Sequence, residues 1–314
     1  MKQFKNKVAV ITGAASGIGK AIAERCCAEG MKVVIADIET NALKKAEDEM
    51  KFKAASVISV VTDVSKQKDI KMLAKKTIDT YGAVHLLFNN AGVGAGGSII
   101  RQTMNDYKWV MNVNLWGVIY GMYTFLPIME KQNEDCHIIN TSSAAGVVPG
   151  LGVYGITKFG ITALSENFKW ELKANNSKVK VSVLFPGIVN TGIVDSHRNR
   201  PTDLNNPEIT LNPELIEEYT QLYNNAKQLY GGPLSMSAKT VADIVFNAIE
   251  NEILFIFTDL ASETGIKVRT EAMLNDMNIL KKFVEKTGQS REKFFSDLMD
   301  QGYKSANTKN IFYI

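Results

Sequence analysis

The sequence predicts an α/β fold: a doubly wound parallel sheet of about seven strands with helices on both faces. Short apolar runs recur from Val8 to Thr258, and they lack the strict alternation of a strand with one face in water. Amphipathic helical segments separate these runs, so each strand should return to the sheet through a right-handed crossover. A glycine-rich turn follows the first run and leads directly into the first helix.

The elements follow in order along the chain, each strand marked by a cluster of apolar and β-branched residues. The predicted strands are Val8–Ile11, Lys32–Asp37, Ser56–Val61, Val84–Phe88, Cys136–Asn140, Lys180–Leu184 and Ile253–Thr258. Helical periodicity predicts the intervening helices, and Gly30 is a helix stop after the first. They are 17–29, 41–50, 66–81, 106–131, 154–174, 213–229 and 238–250, followed by 264–274, 277–287 and 291–301.

Composition excludes several classes of protein. The 314 residues carry a formal charge of +3 with both signs interspersed, so neither nucleic acid nor a membrane is an expected partner. Three unpatterned cysteines form no disulfide framework, which favours a reducing, cytoplasmic location; they are Cys26, Cys27 and Cys136. The histidines lack metal-ligand spacing, so no metal is expected; they are His85, His137 and His197.

The glycine turn is the first candidate binding site. Gly13 would form the tight turn, Gly17 would permit close approach, and Gly19 would let the helix pack against the strand. Ser16 and Ile18 stand between them, where backbone amides at a helix N-terminus can bind a diphosphate. The alternative is a loop whose glycines serve only positive φ.

Asp37 ends the second strand, 18 residues after Gly19. A carboxylate there can accept hydrogen bonds from both ribose hydroxyls of an adenosine and would repel a 2′-phosphate. No basic residue follows it, and Ser16 occupies the loop position where one could bind that phosphate. These residues favour NAD(H) over NADP(H), against the alternative of an ordinary exposed acid.

Tyr154 and Lys158 are the candidate chemical pair. Residues four apart share one helix face, so the ammonium can act on the phenol. A phenol titrating near about pH 10 is a poor base at neutral pH, and a fixed cation favours the phenolate. By itself, the same spacing is also typical of a solvated helix face.

Several further motifs share the order and strand-end placement of one family. They are Asp63–Val64, Asn89–Asn90–Ala91–Gly92, Asn112–Val113–Asn114, Ser142–Ser143 and Pro186–Gly187 with Thr191. With the glycine turn and the Tyr154/Lys158 pair, they make the chain from about Lys7 to Thr258 resemble the compact short-chain dehydrogenases/reductases. The resemblance implies a single NAD(P)-binding Rossmann domain, here assigned to 1–314. The sequence pattern adds a substrate-lid insertion at 195–236, where regular periodicity breaks, and a helical extension at 259–314.

The resemblance also implies roles for individual residues. Ser143 and Tyr154 would bind the substrate oxygen with Tyr154 as acid/base, Lys158 would hold the nicotinamide ribose and lower the pKa of Tyr154, and Asn114 would organise a water relay. The implied cofactor-binding residues are Gly13, Ser16, Gly17, Ile18, Gly19, Asp37, Asp63, Val64, Asn90, Ala91, Gly92, Tyr154, Lys158, Pro186, Gly187, Ile188 and Thr191. The family usually has about two more residues between its serine and tyrosine; Ser143 is preferred here over Ser142.

Substrate and partners follow from the expected pocket walls, 93–99, 144–153 and 188–236. The first two are mostly small and apolar, which favours an apolar or weakly polar secondary alcohol or ketone. Segment 195–236 is either a lid or a surface insertion, and its Arg198 and Arg200 are expected to be solvated unless they clamp a substrate anion. The family resemblance implies a homodimer or homotetramer. The rival interpretations are a non-catalytic cofactor-binding or sensing protein, and an assembly protein acting through its helical tail.

Overall fold

A computed structural model describes residues 1–52, 56–94, 99–206 and 213–287. Within them, seven parallel strands form one sheet in the order β3-β2-β1-β4-β5-β6-β7. The strands are β1 (Val8–Thr12), β2 (Lys32–Asp37), β3 (Ser56–Val61), β4 (Leu86–Asn89), β5 (Cys136–Thr141), β6 (Val179–Phe185) and β7 (Phe255–Phe257). The predicted doubly wound parallel sheet is confirmed.

Helices cover both faces of the sheet. They are α1 (Gly17–Ala28), α2 (Thr40–Phe52), α3 (Gln67–Tyr81), α4 (Met104–Val110), α5 (Gly117–Gln132), α6 (Gly152–Ala174), α7 (Pro213–Gly231), α8 (Ala238–Glu250) and α9 (Ala261–Thr287). One core cluster joins α1, α2 and α8 to the sheet, and a second joins α3, α5 and α6 to the opposite face. Because β1 and β5 are buried along their full length, their sequences show no polar alternation.

The predicted helix 106–131 is wrong in its middle. A π turn, Met111–Trp116, separates α4 from α5, and Asn114 at its centre is fully buried. The Asn114 carboxamide accepts from the Val93 amide at 2.8 Å and donates to the Val93 carbonyl at 2.9 Å. This contact with a loop distant in sequence accompanies the wide turn, so helical periodicity could not reveal the break.

The C-terminal helices also differ from the prediction. The predicted helices 264–274 and 277–287 form one continuous helix, α9, and the intervening Asn275–Asp276 does not interrupt it. Its first turns lie against the segment before α6 and against α6 itself, where Gly265 lies close to Val148 and Arg269 lies over the Phe159 ring. The predicted helix 291–301 lies outside the described residues.

The strand order sets the position of the site. β1 has β2 on one side and β4 on the other, so the winding direction reverses between β1 and β4. The loops after these strands separate there and leave a crevice at the carboxyl ends, where open α/β sheets bind ligands.

Among the helices in the described part of the chain, none is both long and apolar enough to cross a membrane.

Candidate active site

One cleft lies at this edge, and residues that follow six of the seven strands line it. Of the predicted site residues, all but Gly19, Asn114 and Ile188 are in its wall. Residues 144–153 were expected in the wall and are absent from it, because Val147 packs into the core beneath and Val148 lies under α9. Of the expected segment 93–99, residues 95–98 lie outside the described residues.

The glycine turn is compressed against the loop after β4. Gly13 and Gly17 have φ angles of 64° and 54°, in the left-handed region that favours glycine. A Cβ on Gly13 would lie 2.8 Å from the Ala91 Cα, and one on Gly19 would overlap the Gly13 carbonyl oxygen. The positive-φ and close-approach explanations of the motif therefore both hold.

Thr12 joins β1 to β4 beneath this turn. Its hydroxyl accepts from the amides of Asn90 at 3.0 Å and Ala91 at 3.1 Å and donates to the Phe88 carbonyl at 3.2 Å. The Asn90 carboxamide donates back to the Thr12 carbonyl at 3.0 Å. These bonds fix the cleft floor, so the strand-end residues predicted to contact a cofactor converge on a rigid surface.

The N-terminus of α1 faces the cleft. Ser16 is its N-cap residue in an extended conformation, and the Ser16 hydroxyl is not used in capping. The first turn of a helix leaves its amides without intrahelical partners, and there is no acidic side chain in the first turn of α1. This cradle of amides, without Cβ atoms at Gly17 and Gly19, fits a diphosphate group.

The Asp37 carboxylate is held at the far end of the cleft. It accepts from the Ala15 amide at 3.0 Å and the Glu39 amide at 3.1 Å. Burial raises the pKa of Asp37, and these two amide bonds oppose the rise. Each carboxylate oxygen keeps a second lone pair, so the group can still accept bonds from ribose hydroxyls.

Asp63 and Val64, after β3, form the wall beside Asp37. The Asp63 carboxylate accepts from the Ser65 hydroxyl at 2.6 Å and pairs with the Lys66 ammonium at 3.0 Å. Burial opposes ionisation of Asp63, but these bonds outweigh it and lower the pKa. The charge thus orders the turn, while buried Val64 supplies an apolar surface.

Tyr154 and Ser143 meet on the opposite side of the cleft. Tyr154 lies in the first turn of α6, and its phenol is hydrogen-bonded to the Ser143 side chain. Burial raises the pKa of Tyr154 to about 12, and the bond to Ser143 opposes that rise. The Lys158 Nζ lies over the Tyr154 ring, 5.3 Å from its centroid.

The two candidate serines have different environments. The Ser142 hydroxyl is buried and donates to the Lys158 backbone carbonyl at 2.8 Å, so it ties β5 to α6. The Ser143 hydroxyl opens into the cleft and accepts from the Ala145 amide at 3.2 Å. This geometry favours Ser143 as the residue that binds a ligand.

Lys158 is buried at the base of the cleft with only 3% of its surface exposed. Its Nζ donates to the Thr141 carbonyl at 2.9 Å. Burial lowers the pKa of Lys158 to about 7, and no carboxylate contributes to that value. A Cβ on Gly92 would lie 3.6 Å from this Nζ and 3.4 Å from the Asn114 Oδ1, so the two side chains flank Gly92.

The segment after β6 forms the remaining wall. The Gly187 amide donates to the Thr258 hydroxyl at 2.9 Å, and Val189 forms a parallel bridge with Met236. Thr191 lies against Gly17, where a Cβ would be 3.1 Å from the Thr191 Cγ2. Ile188 is beside the cleft instead of in its wall, and its carbonyl accepts from the Met236 amide at 2.8 Å.

Several wall residues come from segment 195–236, where the sequence analysis named Arg198 but not Ser196, Asn199 or Tyr230. Arg198 and Asn199 reach across the cleft to Glu39, with Arg198 Nη2 2.7 Å and Asn199 Nδ2 2.8 Å from Glu39 Oε1. Ser196 accepts from the Gly94 amide at 2.9 Å, and Tyr230 comes from the end of α7. The carboxylate of Glu39, two residues after the second strand, could have indicated in the sequence that a cationic side chain binds there.

The expectation that Arg200 is solvated was wrong. Its guanidinium lies 2.6 Å from the Asp106 carboxylate and over the Trp109 ring, with 13% of the side chain exposed. Burial opposes ionisation of Asp106, but bonds from the Thr103 amide and Arg200 outweigh it and lower the pKa.

Among the described residues, no cluster of three potential metal ligands exists.

Comparison with known proteins identifies a family and several relatives. The family model described as short chain dehydrogenase matches residues 7–202. A CLA biosynthesis dehydrogenase/reductase of Lactiplantibacillus plantarum is 33% identical over 88% of this chain and 96% of its own. A C alpha-dehydrogenase of a Sphingobium species is 28% identical over 88% of each chain.

A solved structure is also similar to this chain. It is a short chain dehydrogenase/reductase from Burkholderia phymatum in complex with NAD. The two chains are 39% identical, the TM-score is 0.82, and the match covers 88% of this chain and 97% of the other.

Proposed function

The chain belongs to the short-chain dehydrogenase/reductase family of oxidoreductases, and on that premise we propose that it transfers a hydride between NAD(H) and a secondary alcohol or ketone. One observation carries the proposal: the hydrogen-bonded Tyr154 and Ser143 lie in the same cleft as buried Lys158, the glycine turn and Asp37. A surface helix bearing Tyr and Lys by chance would have no reason to bury the ammonium.

The cofactor supplies the hydride acceptor or donor, and the protein supplies orientation and electrostatics. Ser143 and Tyr154 place two neighbouring hydroxyl groups in the wall of the cleft, where the reacting oxygen of the substrate would bind. Charge develops on that oxygen during reaction, so these donors stabilise the transition state more than the ground state. Tyr154 exchanges its proton with that oxygen, and a positioned acid/base of this kind contributes about 10² to 10⁴-fold.

We assign the binding of the nicotinamide ribose to Lys158 and the ordering of the neighbouring turn to Asn114. Lys158 has donors to spare after its single bond to Thr141, while the Asn114 side chain is engaged with Val93 and Thr157. A water relay at Asn114 would therefore use a backbone carbonyl of the π turn, because the wider turn leaves a carbonyl without the amide that it would bond in an α-helix.

NAD(H) is the proposed cofactor because of the charge at the adenosine end. Asp37 would repel a 2′-phosphate, and the one guanidinium that the described residues place in the wall, that of Arg198, is paired with Glu39. The pairing lowers the pKa of Glu39, so the ion pair holds across the neutral range. The NAD bound to the Burkholderia phymatum relative agrees with this choice.

The proposed substrate is an apolar or weakly polar secondary alcohol or ketone. Val93, Val189 and Ile193 line the cleft beyond Tyr154, and segment 195–236 supplies part of the wall as a lid would. Two relatives are named as a CLA biosynthesis dehydrogenase/reductase and a C alpha-dehydrogenase, and both names describe oxidoreductases.

We also propose that the enzyme is a cytoplasmic homodimer or homotetramer. All three cysteines are free thiols, which fits a reducing compartment. Trp116 and Tyr123 are exposed at 45% and 67%, and Tyr123 packs edge-on against Phe168 of α6. Light scattering on the purified protein tests this face: Tyr123→Glu should reduce the mass to that of the monomer.

The test of function follows NADH absorbance with a panel of secondary alcohols and ketones. Tyr154→Phe should reduce turnover about 10² to 10⁴-fold and leave NADH affinity within twofold, because the lost hydroxyl acts on the substrate. Ser143→Ala should reduce turnover, whereas Ser142→Ala, which removes buried bonds to the Lys158 carbonyl and the Thr162 hydroxyl, should mainly lower stability. A Tyr154→Phe variant with undiminished turnover refutes the mechanism, and a wild type inactive on every substrate favours a cofactor-binding sensor.

A further inference from the structure

A second tyrosine faces Tyr154 across the cleft. Tyr230, in the last turn of α7, lines the same cavity as Tyr154 and Ser143. A charge on Tyr230 raises the pKa of Tyr154, so the two phenols are close enough to interact. The proposed mechanism assigns no role to this residue.

Contacts with the segment after β6 set the position of α7. The Tyr223 hydroxyl donates to the Asp195 carboxylate, and the Lys227 ammonium lies 3.2 Å from the same carboxylate. Tyr223, Lys227 and Tyr230 are spaced four and three residues apart, so they share one helix face. The face that binds Asp195 therefore also directs Tyr230 toward the cleft.

The chain after Tyr230 is fixed as well. Met236 donates through its amide to the Ile188 carbonyl at 2.8 Å and accepts from the Asn190 amide at 3.0 Å. These bonds join the end of the insertion to the segment expected beside the nicotinamide. Tyr230 is thus held between two anchors, one at Asp195 and one at Ile188.

The Tyr230 hydroxyl is available to a ligand. Burial alone raises the pKa of Tyr230, so the phenol stays protonated at neutral pH, and no described residue hydrogen-bonds to it. The neighbouring wall is apolar at Val189 and Ile193. A polar group half-buried among apolar side chains gains most from a ligand oxygen that completes its hydrogen bond.

We propose that Tyr230 binds a second oxygen of the substrate, on the carbon next to the carbinol carbon. Ser143 and Tyr154 bind the reacting oxygen, and Tyr230 donates from the other side of the same cavity. The preferred substrates are then 1,2-diols and α-hydroxy ketones carrying an apolar chain, in preference to plain secondary alcohols. This inference rests on the proposed function.

The test compares NAD-linked oxidation of 2-octanol with that of 1,2-octanediol, and of 1-phenylethanol with that of 1-phenyl-1,2-ethanediol. Product analysis follows oxidation at the secondary carbon. The wild type should show a kcat/KM about tenfold higher for each diol, the size expected of one hydrogen bond to a buried group. Tyr230→Phe should lose that preference and keep its kcat/KM for the plain alcohols within twofold.

Tyr223→Phe is the matched control, since it removes a phenolic hydroxyl from the same helix face outside the cleft, while the Lys227 ammonium still binds Asp195 and holds α7 in place. It should keep the diol preference. If Tyr230→Phe keeps the wild-type ratio of kcat/KM for diol and plain alcohol, the inference is overturned and Tyr230 is assigned to helix docking. The same conclusion follows if both variants lose kcat/KM equally on both kinds of substrate. Turnover of the plain alcohols by the wild type tests the proposed function separately, and absence of turnover on all four substrates removes both.

Discussion

Replacing Lys158 with Met tests the most unusual electrostatic feature of the site. The ammonium is 3% exposed, contacts the Thr141 carbonyl and has no carboxylate partner in the described part of the chain, and burial lowers its pKa from 10.5 to about 7. Below about pH 7 the amine is charged in both folded and unfolded chains, so the native state bears the full cost of burying the charge. Lys158→Met removes the charge at similar side-chain volume.

The sign of the pH dependence follows from the lowered pKa. Between about pH 7 and 10.5 the native state loses the proton and the unfolded chain keeps it, so the free energy of unfolding rises with pH. The rise between pH 7 and pH 9 should amount to about 2 kcal/mol, out of about 5 kcal/mol over the whole window. The wild type and Lys158→Met share all other titrating groups, so the contributions of those groups cancel in the difference between the two free energies of unfolding.

Urea unfolding of the cofactor-free wild type and Lys158→Met at pH 7, 8 and 9 measures this difference. The wild type should gain about 2 kcal/mol relative to the variant across the series, and the variant should be the more stable of the two at pH 7. Lys178→Met is the control, because exposed Lys178 also donates to a backbone carbonyl, that of Asn133, at 2.9 Å. Parallel wild-type and Lys158→Met curves would refute the lowered pKa.

Three further predictions concern the turn, the adenosine end and the wall. Gly19→Ala should abolish NADH binding and lower the melting temperature, because the added Cβ would overlap the Gly13 carbonyl oxygen. Gly231→Ala is the control, since its added Cβ would have no atom within 4 Å, and it should change neither quantity. NADH titrations and thermal melts measure the two effects. Asp37→Ser should weaken NADH binding and raise the NADPH/NADH affinity ratio about tenfold, measured by fluorescence titration. Arg200→Met should cost about 3 kcal/mol of stability in urea at pH 7, because it leaves the largely buried Asp106 carboxylate without its cation; a loss below 1 kcal/mol would contradict that pairing.

The sequence alone was sufficient for the sheet and for most of the cleft floor. Buried strands and amphipathic helices are periodic signals carried by neighbouring residues, so β1 to β7 were recognised with small errors at their ends. The glycine turn, Asp37 and Asn90 stand at strand ends, and a parallel sheet brings successive strand ends to one edge. Tyr154 and Lys158 were visible because both lie on one helix.

Tertiary structure decided what approaches that floor from elsewhere in the chain. Arg198 reaches Glu39 across 159 residues of sequence, and Tyr230 enters the cleft that contains Tyr154 because α7 is bound to Asp195 and the chain after it to Ile188. Neither contact has a periodicity or a fixed spacing that could indicate it.

The protonation of the site was likewise beyond the sequence. The pKa values of Lys158 and Tyr154 depend on how much water surrounds each group, and only the packing of β5, α6 and the cleft walls sets that. Local sequence determines which chemical groups are present and in what order, because those are properties of neighbours. Folding determines their solvation and their distant partners, because both arise from segments that meet only in three dimensions.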